Sequence, residues 1–163
     1  MPAVPEDKPE TIKILDFLSR TAIVPELKAA TKKAAIEELV GLLVKENKVQ
    51  DADSAVQILM EREKIGSTGI GQGIAIPHAK SEQAKGVAAA FGLSKKGIAF
   101  DALDGDPVYI IFLLIAPPDS AAMHLQALAR ISRMLKDKFF RQSLREAKST
   151  EEILRLIREE DRF

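Results

Sequence analysis

Val108-Tyr109-Ile110-Ile111-Phe112-Leu113-Leu114-Ile115-Ala116 is the longest apolar run in the chain, nine residues without a charge. It is rich in β-branched and aromatic side chains, and it lacks the polar alternation of a strand with one wet face. Such a run predicts a central strand covered on both sides. The turn signal Asp104-Gly105-Asp106-Pro107 opens it and Pro117-Pro118 closes it. On the C-terminal side, Asp119 or Ser120 is expected to cap a helix running to about Leu135, with Leu125, Leu128, Ile131 and Leu135 as its buried stripe. Counting back from Leu128 and Ile131 by four and seven puts His124 on that same face. Shorter helices are predicted over Asp137 to Glu146 and from Ser149 to about Asp161, the latter opening with the capping box Ser149-Thr150-Glu151-Glu152.

Toward the N-terminus, Ile98 to Phe100, Val87 to Ser94 and Gly73 to Pro77 read as short strands. Thr31 reads as the N-cap of a helix through Asn47, whose Ile36, Leu39, Val40 and Leu43 share one stripe. A second helix, opened by Ser54-Ala55-Val56-Gln57, ends at Gly66. Ser19 to Ala30 is a connection with one short strand, and Thr11 to Leu18 is either a strand or a short helical turn. The order helix, helix, strands, helix, helix predicts an α/β fold: a single domain over 11–163, with a mixed β-sheet flanked by helices on its faces.

At 163 residues the chain can bury a core without disulfides, and it contains no cysteine. Thiol nucleophiles and cysteine metal sites are thereby excluded, and a reducing compartment fits. Lysine plus arginine number 24 and aspartate plus glutamate 24, so no net field favours nucleic acid or an anionic membrane. A membrane helix needs roughly 20 apolar residues, more than the longest run provides, so no membrane insertion is expected. Residues 1–10 hold three prolines and mixed charge but no apolar segment; they read as a flexible N-terminal tail and not as a signal peptide.

The chemistry concentrates in Gly66-Ser67-Thr68-Gly69-Ile70-Gly71-Gln72-Gly73-Ile74-Ala75-Ile76-Pro77-His78-Ala79-Lys80. Four glycines fall within eight residues, ahead of one of only two histidines. A Walker loop would need Lys-Ser or Lys-Thr after its last glycine, and a dinucleotide fingerprint would need glycine at 74 or 76, where isoleucines stand. What remains is a glycine loop that delivers a histidine, with Gly69, Gly71 and Gly73 as candidate phosphate-loop positions whose peptide N–H groups suit an anion. Neutral imidazole is abundant at neutral pH, and its lone pair can attack phosphorus.

This Gly-Ser-Thr-Gly-Ile-Gly-x-Gly-Ile-Ala-Ile-Pro-His stretch resembles the active-site signature of enzyme IIA domains of the bacterial phosphotransferase system, in the fructose, mannitol and nitrogen-regulatory class. The resemblance covers nearly all of 11–160. It implies that His78 carries a phosphoryl group on Nε2, with no cofactor and no metal. The family places an arginine sixteen residues before that histidine, and 62 to 78 matches, so Arg62 is implied to stabilise charge. Read by itself, Arg62 is a solvated cation favourable at a helix C-terminus. The family also has a second histidine in a His-Leu-Gln or His-Ile-Gln context, matched by His124-Leu125-Gln126. His124 is thus implied to stabilise the phosphoryl group; on its own it reads as a core-facing histidine.

The implied partners are a histidine phosphocarrier protein as donor and an enzyme IIB cysteine as acceptor, in sugar uptake. The alternative is a nitrogen-regulatory protein whose phosphorylation state controls binding to regulatory partners. Ala79-Lys80 looks more like the fructose members. Either way the protein is expected to be cytoplasmic, with Ile70, Ile74 and Met123 as an apolar docking rim around His78. A histidine-based hydrolase or metal enzyme is the remote alternative, since two histidines without a clear carboxylate beside them make a poor zinc set.

Overall fold

The computed structural model describes residues 12–162, so the expected tail at 1–10 lies outside the described residues. Val108–Ala116 is a strand, β6, with only Tyr109 short of full burial. Successive strand residues point to opposite faces, so this burial covers β6 on both sides. The remaining strands are β1 (Leu18–Val24), β2 (Gly69–Gly71), β3 (Ile74–Ala75), β4 (His78–Lys80) and β5 (Ala88–Ile98). They form one six-stranded mixed sheet in the order β1-β5-β6-β3-β2, with β4 also paired to β6.

β5 runs antiparallel to β6 on one side; β3 and β4 run parallel to it on the other, Ile74 beside Ile110 and His78 beside Leu114. The strand expected over Gly73 to Pro77 is therefore the two-residue β3, and the same line along β6 resumes beyond it as β4. Pro77 interrupts it because proline has no N–H to offer, while its carbonyl still accepts the Leu114 N–H at 2.9 Å. The strands expected at Val87 to Ser94 and Ile98 to Phe100 are one strand with a shift of register between Leu93 and Ile98. There Gly97 takes φ +89° and donates its N–H to Ser94 Oγ at 3.0 Å. The N-terminal segment resolves into a 3-10 turn at Ile14–Asp16 followed by the edge strand β1, parallel to β5.

Five α-helices cover the sheet: α1 (Lys32–Lys45), α2 (Ala52–Ile65), α3 (Ala121–Met134), α4 (Lys138–Glu146) and α5 (Thr150–Glu160). α1 packs on β1 and β5, α2 on α1 and β4, α3 and α4 on β6, and α5 on β1 and α4. Thr31 caps α1 as expected, its side chain accepting the Ala34 N–H at 3.1 Å. The cap of α2 is Asp51, one turn earlier than the expected Ser54, whose hydroxyl instead donates to Asp51 at 2.7 Å. No side chain caps α3, contrary to the expectation for Asp119 or Ser120: a 3-10 turn at Pro118–Ser120 leads into it.

The largest departure concerns the buried face of α3. His124, Ala127, Arg130, Ile131 and Met134 are buried, whereas Leu125 is 68% exposed and Leu128 half-buried. His124 and Ile131 are on the buried face as expected, but a count of apolar side chains passes over Arg130 because it is charged. Arg130 is admitted by an ion pair: its Nε donates to Asp161 Oδ1 at 2.5 Å, while the other oxygen of Asp161 accepts the Ile14 N–H at 2.6 Å. Both ends of the described chain are thus tied to α3.

Candidate functional site

His78 opens β4 and is half-buried. Its Nδ1 lies 2.7 Å from the Ile76 carbonyl oxygen. A carbonyl only accepts, so Nδ1 carries the proton and Nε2 keeps its lone pair. Pro77 fixes φ between the two residues, so the side chain and the carbonyl that holds it belong to one stiff tripeptide.

The second histidine stands beside the first. His124 is in the opening turn of α3, 5% exposed, and its ring centroid is 5.9 Å from that of His78 with the planes tilted by 46°. Its buried Nε2 has no hydrogen-bond partner. Burial, reinforced by the neighbouring charges of His78 and Lys80, lowers its pKa from 6.5 to about 4, so near neutral pH the ring is uncharged. An orphan donor or acceptor in a folded interior costs free energy.

A depression of about 370 Å³ lies over His78, walled by Arg62, Thr68, Ile70 and Ile76 on one side and Leu125 and Leu128 on the other. Arg62 sits on the last turn of α2, and one of its terminal nitrogens donates to the Gly66 carbonyl at 2.8 Å. That bond caps the helix end and leaves the rest of the guanidinium's five donors free. Arg62 and His78 thus line one depression, while His124 stands beside His78 without lining it.

Gly69, Gly71 and Gly73 do not line that depression. Gly71 and Gly73 take φ +95° and +80° on either side of Gln72 at +60°, forming the reversal between β2 and β3. A Cβ on Gly69 would come within 2.9 Å of the Ala102 side chain. Asp104 secures the reversal by accepting the Gln72 N–H at 3.0 Å, and its bonds to the Asp106 and Gln72 N–H groups hold its carboxyl below the usual range. The three glycines therefore shape the hairpin that precedes His78, and no anion contact is assigned to them.

The expected apolar rim is corrected in part. Ile70 is 49% exposed and lines the depression, but Ile74 is buried in the core, and Met123, though exposed, is not in the wall. Leu125 takes the place assigned to them. It was missed because counting apolar positions put it inside the helix packing together with His124, whereas the burial of His124 turns its immediate neighbour Leu125 outward.

The family model described as "Phosphoenolpyruvate-dependent sugar phosphotransferase system, EIIA 2" matches residues 2–160. Over 151 residues the chain is 36% identical to the PTS system fructose-specific EIIABC component of Bacillus subtilis (strain 168), covering 93% of this chain and 24% of that one. It is 37% identical over 144 residues to a nitrogen regulatory protein of Bradyrhizobium diazoefficiens, covering 88% and 94%. The chain therefore spans about a quarter of the first relative and nearly all of the second. Among solved structures, the nitrogen regulatory protein IIA-Ntr from Neisseria meningitidis superposes with a TM-score of 0.82 at 35% identity, covering 88% of this chain and 98% of that one. Enzyme IIA-mannitol of Escherichia coli, solved in complex with phosphorylated enzyme IIB-mannitol, gives 0.73 at 25% identity, covering 85% and 94%.

Proposed function

The chain belongs to the EIIA 2 family of the phosphoenolpyruvate-dependent sugar phosphotransferase system, and on that premise we propose that His78 accepts a phosphoryl group from a histidine phosphocarrier protein and passes it to an enzyme IIB cysteine. The observation that carries this reading is the Nδ1 bond from His78 to the Ile76 carbonyl, which leaves Nε2 as the nucleophile. The lone pair of Nε2 attacks phosphorus as the bond to the donor's nitrogen breaks, and the leaving nitrogen keeps that electron pair. His78 retains its Nδ1 proton throughout. In the second transfer a thiolate attacks the same phosphorus, an S–P bond forms, and the pair of the breaking N–P bond returns to Nε2.

Charge spreads over the three equatorial oxygens during both transfers, so positioning and electrostatics do most of the work. Neutral His124 donates a ring N–H to one oxygen, which satisfies its orphan nitrogen, and Arg62 supplies a cation from the opposite wall. No cysteine occurs in residues 1–163, so the acceptor thiol lies outside them. The solved complex of IIA-mannitol with phosphorylated IIB-mannitol supports an acceptor of that kind. In the described residues no helix is long and apolar enough to cross a membrane, and the protein is read as cytoplasmic.

A second reading is favoured by one observation: the fold superposes on the nitrogen regulatory protein IIA-Ntr with a TM-score of 0.82 at 35% identity, against 0.73 at 25% for IIA-mannitol. Here phosphorylation of His78 adds nearly two negative charges at the depression and alters binding of a regulatory partner. Chase of the labelled protein with the IIB proteins of the same genome separates the two. Rapid discharge to a IIB cysteine is expected for the carrier; label that stays on the protein with every IIB would overturn it in favour of the regulator.

A further inference from the structure

Glu63 is a buried carboxylate that no step of the transfer uses. It lies in the last turn of α2, where the negative end of the helix dipole disfavours an anion. Its side chain is 3% exposed. Oε1 accepts from Lys32 Nζ at 3.1 Å and from the Thr68 N–H at 3.2 Å, and Oε2 accepts from the Thr68 hydroxyl. The Lys32 ammonium also lies 5.1 Å from the centre of the Phe100 ring and 3.7 Å from Asp101. Buried ion pairs of this kind seldom add net stability over apolar packing, so stability alone is a weak reason for this one.

The contacts of Glu63 lead to the nucleophile. Thr68 is part of the wall over His78. Its carbonyl accepts the Ile76 N–H at 3.1 Å, and the Ile76 carbonyl in turn holds Nδ1 of His78 at 2.7 Å. We propose that Glu63 is a positioning residue: by clamping Thr68 from both its N–H and its hydroxyl, it fixes the Ile76 peptide that sets the His78 tautomer. Partners one step removed from an imidazole orient the ring and choose which nitrogen keeps its lone pair. Lys32 is its counter-ion across the contact between α1 and α2, as a buried charge requires. Charge on α1 and α2 is thereby linked to the free lone pair on β4.

The significance of the inference rests on His78 being the phosphoryl acceptor, but its test does not. Nitrogen-15 NMR of histidine-labelled, unphosphorylated protein reads the tautomer directly. The wild type is expected to show protonated Nδ1 and bare Nε2. Glu63→Ala, which removes the clamp, and Thr68→Val, which removes only the hydroxyl contact, are expected to move His78 toward a mixture of tautomers. Phosphoryl uptake at saturating donor should then slow about tenfold, with KM for the donor unchanged. Glu63→Gln keeps an oxygen for the Thr68 N–H and should recover most of the wild-type tautomer. Folding is checked from the amide spectrum, and if Glu63→Ala does not fold, Thr68→Val decides. A wild-type tautomer in folded Thr68→Val would overturn the proposal. Variants that show the expected tautomer shift beside a wild type that never takes up phosphate would instead refute the acceptor role of His78.

Discussion

His124 joins a cost in stability to the phosphoryl-stabilising role proposed for it. Its folded-state pKa of about 4 lies below the ordinary 6.5. Between those values the unfolded chain binds a proton that the folded chain does not, so stability rises with pH across the window. The contribution is complete above about 6.5 and is lost as the pH falls toward about 4. Urea midpoints measured at pH 7 and pH 5 should therefore drop on acidification, and His124→Gln, an uncharged replacement, should show a smaller drop. Equal drops in the two proteins would mean that His124 is not the group responsible. The pairing of His78 with His124 was legible because the motif around each names its residue type. The glycines were legible as a dense cluster, but sequence shows only that a chain must bend, not that Gly69 clears Ala102 or that Gly71 and Gly73 turn a hairpin.

α3 shows how an element can be placed correctly along the chain and wrongly about its axis. Its span was evident from Pro117-Pro118 and the apolar spacing that follows, yet the spacing selected Leu125 and passed over Arg130. The observed rotation buries His124 beside His78 and presents Leu125 at the edge of the depression, so one turn of helix carries both the proposed phosphoryl ligand and the proposed docking side chain. This assignment has unequal consequences for two substitutions. Leu125→Ala should change stability by less than about 0.5 kcal/mol while weakening the phosphocarrier's KM, because an exposed rim side chain is lost. Ile131→Ala, fully buried, should cost about 2–4 kcal/mol and leave the KM of the folded fraction unchanged. Urea denaturation with steady-state uptake measures both; a large stability loss in Leu125→Ala would restore the stripe expected from sequence.

For the molecule as a whole, the central strand was the most legible element, because a fully apolar run of strand length has few other uses in a chain of this size. The short strands beside it were not, since β3 and β4 hold five residues between them and derive their shape from β6 and from Pro77 rather than from any propensity of their own. That dependence is what serves the site: β6 aligns β4, Pro77 restricts the chain, and the Ile76 carbonyl holds one ring nitrogen so that the other faces the depression. Buried polar ties such as Arg130 to Asp161 and Lys32 to Glu63 join elements far apart in sequence, and no local pattern announces them. The most direct test of the central claim is to incubate the protein with phosphoenolpyruvate, enzyme I and the histidine phosphocarrier and to locate the label. One acid-labile, base-stable phosphoryl group on Nε2 of His78, absent from His78→Ala, is the predicted result; label that survives in His78→Ala, or that is stable to acid, would contradict it.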